Sequence, residues 1–276
     1  MFRSSRISLV LTISAALLGG CASSGKAPLA ANAAYAPASA EVRQALAPSG
    51  KLRVAVYVGS PTSIIPASSS DQTRGVGYEL GRELARRLGV PFESVVFPKN
   101  ADSLESIKLG KSDVTFTNAT AERAKDMDFT QPFLDVERGF LVGPNSKITR
   151  QEELDVPGSR IGASIGSTTE ATLNKQFHNM KIVLAPTLKA GTDMLANGRL
   201  DAFATNKAIL FEMSDALPGS RVLPGQWGYE HFGAGIPKGR DAGRDYMKRF
   251  IEEVKADGTV ARVVARAGVR GTVAPR

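Results

Sequence analysis

The chain of 276 residues holds one cysteine and two histidines, His178 and His231, far apart in sequence. That leaves little material for a zinc cluster, a CxxC site or a histidine-based triad. Chemistry must therefore come from carboxylates, hydroxyls and guanidinium groups, in a binding protein or a carboxylate-based enzyme, and no metal or cofactor is expected. Two places stand out. Arg123 follows a predicted strand end at the start of a short helix, and its planar fork can hold a carboxylate by a charge-assisted pair more directional than a Lys contact. A surface salt bridge with Glu122 or Asp126 would use the same residue. Gly166-Ser167-Thr168-Thr169 lies between a predicted strand and a helix, so free backbone N–H groups and the helix dipole would face an anion. Ser167 and Glu170 also form an S-x-x-E capping box, which explains the same letters by helix stabilisation; the cap would fix the turn that presents the amides. Glu79 and Glu170 are the carboxylates best placed for acid or base work, and each reads first as a helix residue.

The elements that must position these groups alternate. Leu52, Val54, Val56 and Val58 share one face of a strand, and Leu80, Leu84 and Leu88 recur at helical spacing before Gly89 and Pro91. Phe92–Phe97, a helix over Ala101–Leu109 and a strand over Asp113–Asn118 complete a first α/β unit. The alternation restarts with Arg160–Ile165, a helix from Thr168, Lys181–Leu184, Leu188–Ala196, Asp201–Thr205 and a helix over Ala208–Ala216. Successive βαβ steps imply mostly parallel sheets. A long amphipathic helix around Tyr246, Phe250 and Val254 closes the chain with a last short helix. Trp227, Tyr229 and Phe232 read as core of the second unit before they read as a cleft wall. Gly75-Val76-Gly77 with Gly81 has the wrong spacing and context for a dinucleotide fingerprint.

The composition is globular, with 42% hydrophobic residues and a formal charge of +8, which excludes a disordered or fibrous chain. No basic stripe with interleaved aromatics is present, so no nucleic-acid partner is expected. Residues 1–20 carry Arg3 and Arg6 and an apolar run, as a secretory signal does. Leu18-Gly19-Gly20-Cys21 resembles the bacterial lipobox, which implies lipidation of Cys21 and a membrane partner through that anchor. Residues 21–49 are expected to be lipidated Cys and flexible tether, being rich in Ala, Ser and Pro. Asn118-Ala119-Thr120 matches a glycosylation sequon, a coincidence in such a lipoprotein.

In order, Gly77-Tyr78-Glu79-Leu80, Gly110-Lys111-Ser112-Asp113, Thr120-Ala121-Glu122-Arg123, Asp128-Phe129-Thr130-Gln131-Pro132-Phe133, Gly166-Ser167-Thr168, Gly198-Arg199-Leu200-Asp201-Ala202 and Asp257-Gly258-Thr259 resemble the family 3 solute-binding proteins of bacterial ABC importers. The resemblance spans about residues 50–270. It implies a two-lobed periplasmic-binding-protein fold: two α/β lobes joined by two crossing strands, with a ligand cleft between. Lobe 1 would be 50–141 plus 237–276 and lobe 2 142–236, with crossings near Phe140–Gly143 and Gly233–Pro237.

The resemblance also implies site residues. Arg123 would grip a ligand carboxylate. Phe116 matches a position whose backbone meets the ligand, Asn118 one where a hydroxyl usually does, and Thr120 caps the helix and faces the cleft. Ser167 and Thr168 would contribute from lobe 2. Two departures matter. Asn206 stands where amino-acid-binding members carry a carboxylate for the ligand's ammonium, and the first loop, Ser60 to Pro66 with Ser63, offers hydroxyl and aliphatic groups in place of a stacking aromatic. The expected ligand is an amino acid or small organic acid that keeps an anionic group for Arg123. The implied function is the substrate-binding component of an ABC importer, lipid-anchored on the periplasmic side of a bacterial membrane, partnered by a permease, monomeric and not an enzyme. The alternatives are a periplasmic enzyme similar to cyclohexadienyl dehydratase and a solute-sensing lipoprotein.

Overall fold

A computed structural model describes residues 37–69 and 71–273; Cys21 and the signal segment lie outside the described residues. The first element is α1 (Ala40–Leu46), inside the stretch expected to be tether. Ser39 caps it by accepting a hydrogen bond from the Val42 N–H at 3.1 Å, and Val42 and Leu46, one helical turn apart, are buried. Full burial of each such side chain is worth about 1.5–3 kcal/mol, which draws this short helix onto the body.

The chain then runs β1 (Leu52–Tyr57), α2 (Val76–Leu88), β2 (Phe92–Phe97), α3 (Asn100–Lys108) and β3 (Val114–Asn118). A 3-10 turn at Arg123–Lys125 precedes β4 (Met127–Phe129) and the long β5 (Leu134–Val142). A second series follows: β6 (Arg160–Ser164), α4 (Thr168–Gln176), β7 (Lys181–Ala185), α5 (Leu188–Ala196), β8 (Ala202–Asn206), α6 (Lys207–Ala216) and the two-residue β9 (Arg221–Val222). The return is β10 (Tyr229–Pro237), α7 (Asp241–Ala256), α8 (Thr259–Arg266) and β11 (Thr272–Val273). Strands order as β2-β1-β3-β10-β5-β8-β6-β7. β2, β1 and β3 pair in parallel, as do β7, β6 and β8, and antiparallel β10 and β5 join the two sets. The result is a two-lobed α/β fold.

The crossing lies a few residues from where the sequence suggests. Leu134–Glu137 pairs with Tyr229–Phe232, while Arg138–Val142 has already turned to β8 and Phe232–Gly235 to β3. Pairing partners, which no local pattern encodes, set this position. At the crossing, His231 Nδ1 lies 2.8 Å from Oδ1 of the fully buried Asp135.

The two lobes repeat one plan. Val54 pairs with Val114 as Ile161 pairs with Ala202. In the first lobe Asp113 accepts from the Arg53 N–H at 3.0 Å, Nε at 2.9 Å and Nη2 at 2.8 Å, and from Arg240 Nη1 at 3.2 Å. In the second, Asp201 accepts from the Arg160 N–H at 2.7 Å, Nε at 3.2 Å and Nη2 at 2.7 Å. These clasps lock the start of one strand to the start of its neighbour and so align their far ends, where the cleft opens. Phe203 lies so close to Gly162 that a Cβ there would meet its ring at 2.5 Å, which is why the second lobe uses glycine where the first has Ala55. Trp227 packs on Phe140 and Phe177 in the second lobe's core, as its type suggests, whereas Phe232 joins the first lobe's core.

Candidate functional site

The carboxyl ends of the parallel strands of both lobes, with the middle of β10, converge on one cavity, the place where open α/β sheets take ligands. The first lobe lends Tyr57, Thr117, Asn118 and Arg123, with Pro98 to Asn100 at the rim. The second lends Ser164, Ile165, Ser167 to Thr169, Pro186 to Leu188 and the Thr205-Asn206 strand end, and β10 adds Glu230 and Phe232. The cavity volume is about 50 Å³.

Arg123 is folded back over the end of β3. Its Nη1 donates to Thr117 Oγ1 at 3.1 Å and to the Asn118 carbonyl at 2.8 Å. The alternative use of Arg123, a surface ion pair, does not form: Glu122 goes to Lys125 and Asp126 to Lys108. Burial pushes the Arg123 guanidinium down from its ordinary value, Glu230 and Tyr57 oppose that, and Arg138 adds to it. A cation desolvated in this way is stabilised by an anion placed against its remaining donors. Tyr57 supplies the aromatic surface that the first loop lacks. Burial, its largest influence, holds the phenol above its usual range, so it enters as a neutral donor.

Opposite, α4 starts where expected. Gly166 adopts φ 69, Ser167 Oγ accepts from the Glu170 N–H at 3.1 Å, and Glu170 Oε2 accepts from the Gly166 N–H at 2.8 Å. The cap serves the third helical N–H, and those of Thr168 and Thr169 have no preceding turn to bond. The Thr169 hydroxyl is buried with no hydrogen-bond partner. The Thr168 hydroxyl, by contrast, is saturated. It accepts from Asn118 Nδ2 at 3.1 Å and Arg138 Nη2 at 3.1 Å, and donates to Glu230 Oε1 at 3.2 Å. Thr168 therefore ties both lobes and β10 together and keeps only its backbone for a ligand.

Asn206 caps α6, its Oδ1 accepting from the Ile209 N–H at 3.1 Å, while Nδ2 donates to Glu230 Oε2 at 2.8 Å. Glu230 also lies 3.7 Å from Arg138 Nε, and these side chains are only 8% and 7% exposed. Arg138 stacks on Trp227 from behind and donates to Thr172.

Of the residues singled out by sequence, Arg123, Asn118, Ser167, Thr168 and Asn206 line the cavity. Three others stand outside the lining. Ser63 Oγ accepts from the Tyr57 N–H at 2.8 Å, so it shapes the first loop. Phe116 packs edge-on against Phe133 in the core, and Thr120 Oγ1 accepts from the Arg123 N–H at 3.3 Å. Glu79 pairs with Arg266 on the surface and Glu170 caps α4. Glu230 and Tyr57 were not anticipated. The signal for Glu230 was an acidic residue beside His231, between Tyr229 and Phe232 in the crossing strand.

Comparison with known proteins agrees with this fold. The model of the bacterial extracellular solute-binding proteins, family 3, matches residues 52–268. The ABC transporter glutamine-binding protein GlnH of Bacillus subtilis is 24% identical over 195 residues, 69% of this chain and 71% of that protein. Among solved structures, the amino acid ABC transporter substrate-binding protein AbpA from Streptococcus pneumoniae, bound to L-arginine, superposes with a TM-score of 0.72 at 20% identity, covering 81% of this chain and 97% of that one. The ancestral amino acid-binding protein AncCDT-1, a precursor of cyclohexadienyl dehydratase, gives 0.68 at 24% identity, covering 79% and 95%. With the family model spanning both lobes and the cleft between them, the chain belongs to the bacterial extracellular solute-binding proteins, family 3.

Proposed function

We propose that this protein is the substrate-binding component of an ABC importer, capturing an amino acid or related small organic anion between its lobes and presenting the closed form to a permease. The observation that carries the reading is Arg123: a partly buried guanidinium, anchored by one nitrogen and without an ion-pair partner among the described residues, faces the amino end of α4 across a small cavity. Two preorganised positive ends suit one carboxylate. Family relatives named as amino-acid-binding ABC transporter proteins support the same role. Attachment to the membrane through a lipidated Cys21 and a monomeric state belong to this proposal, as do lobe limits that fall near 137 and 232, a few residues before those of 50–141 plus 237–276 and 142–236. Among the described residues no helix is long and apolar enough to cross a membrane.

An enzymatic reading has less support. Glu230 is the only acidic residue among those lining the cavity, and both of its oxygens accept hydrogen bonds, from Asn206 and Thr168. A thermal-shift screen of amino and organic acids tests the receptor role, since a ligand bound only by the folded state raises apparent stability. The expected result is a shift with at least one small carboxylate that disappears in Arg123→Ala. Turnover of prephenate or arogenate by the purified protein would overturn it, and release of Cys21→Ser into the soluble fraction is the expected sign of the anchor.

A further inference from the structure

The cavity contains a carboxylate after all, but the protein itself already supplies its cation. An amino-acid ligand presents a carboxylate and an ammonium, and a cleft that buries it must answer both. Here Arg123 answers the first. For the second, the strand end of the second lobe offers Asn206 in place of an acid, and the nearby Glu230 is backed by Arg138, whose guanidinium stacks on Trp227 and reaches within 3.7 Å of Glu230 Oε1. Asn206 can be oriented in only one way. Its oxygen must face the Ile209 N–H and its nitrogen must face Glu230, so one Nδ2 hydrogen is left to offer. Where a zwitterion needs an acceptor, this position presents a donor.

Charge leads to the same conclusion. Lys99, at the rim, pairs with Asp102 at 3.6 Å. Arg123, Arg138 and Glu230 then sum to +1, and a closed cleft around them is neutral with a ligand of charge −1. A zwitterion would leave it at +1 and would place a second cation beside one carboxylate, which is unfavourable in a desolvated site.

Resting on the receptor reading above, we propose that the cleft selects a small carboxylate bearing a carbonyl or hydroxyl oxygen where an amino acid bears its ammonium, with Arg138 standing in as an internal cation for Glu230. Asn206 and the Glu230–Arg138 pair are the specificity-determining residues. They act on the group next to the ligand carboxylate, while Arg123 holds the carboxylate itself.

Calorimetric titration tests this with the amino, hydroxy and oxo acids built on the carbon skeletons of alanine, leucine and phenylalanine. For whichever skeleton fits, the hydroxy or oxo acid should bind at least about tenfold tighter than the amino acid, since a site built for one polar group rejects its opposite strongly. Asn206→Asp restores an acceptor and should reverse that order. It keeps the helix cap, because Asp caps as well as Asn, and the double variant Asn206→Asp/Glu230→Gln, expected to show the same reversal, avoids the carboxylate pair that the single change creates with Glu230. Tighter binding of the amino acid by the wild type, or an unchanged preference in Asn206→Asp, would overturn the selection; if that amino-acid binding vanished in Arg123→Ala, the receptor role would stand. Binding of none of these acids would count against both.

Discussion

The strands β3 and β8 occupy equivalent places in the two lobes and both end in Thr-Asn, yet they do opposite work. After Thr117-Asn118 the chain continues as a loop and a 3-10 turn, and Arg123 swings back to donate to both residues. After Thr205-Asn206 a helix starts at once, and Asn206 is engaged as its cap. One lobe thus brings a side-chain cation to the cleft. The other brings backbone amides, from α4, and a neutral amide in place of an acid. The same local strand end serves either purpose, and the residues that follow it decide which.

The largest expected effect breaks the first lobe's side of this contrast. Arg123→Ala should weaken carboxylate binding about 100-fold or more by calorimetry, as two charge-assisted hydrogen bonds worth about 1.5–3 kcal/mol each are lost. Next comes the internal pair. Glu230→Gln leaves Arg138 buried without a counter-charge and should cost about 3–5 kcal/mol of stability in urea unfolding; a loss below 1 kcal/mol would mean that Arg138 finds its partner elsewhere.

The two Arg–Asp clasps offer a matched comparison. Asp113 is fully buried between Arg53 and Arg240, so Asp113→Asn should cost about 3 kcal/mol. Asp201 and Arg160 are partly solvated, and Asp201→Asn should cost far less, because water screens an exposed pair. Equal losses would refute the burial argument. Ser167→Ala, which removes the α4 cap, should cost about 1 kcal/mol and loosen the ligand site with it.

The smallest effect concerns acid. Hydrogen bonds from Arg160 hold the Asp201 carboxyl below its usual range. Its stabilisation is therefore present above the unfolded value of about 3.9 and is lost as pH falls through the lower folded value. Asp201→Asn should flatten the fall of stability below about pH 4, and an unchanged slope would show that other carboxylates set it.

Much of this was legible in sequence because period and punctuation are local. The helix α5 and strand β2 fall where the apolar spacing places them, and Gly166-Ser167 marks the start of α4 without ambiguity. The helix α1 was not legible, since only Val42 and Leu46 mark its face within an Ala-rich stretch that otherwise reads as tether. The site divides in the same way. Arg123 and Ser167 announce themselves through their neighbours in the chain. Glu230 meets Asn206, Thr168 and Arg138 only because β10 and β5 cross, and nothing near Glu230 in sequence encodes that meeting. Thr120 caps the Arg123 N–H as its position suggests, whereas the hydroxyl of Ser63 accepts from the Tyr57 N–H, a contact across the first loop that no local pattern encodes.

The central claim is that the fork of Arg123, not charge alone, holds the ligand carboxylate. Calorimetric titration of the wild type and Arg123→Lys with the same small carboxylate isolates it, because Lys keeps the charge and lacks the planar pair of donors. At least about a tenfold loss of affinity in Arg123→Lys is predicted, and affinity equal to that of the wild type would contradict it.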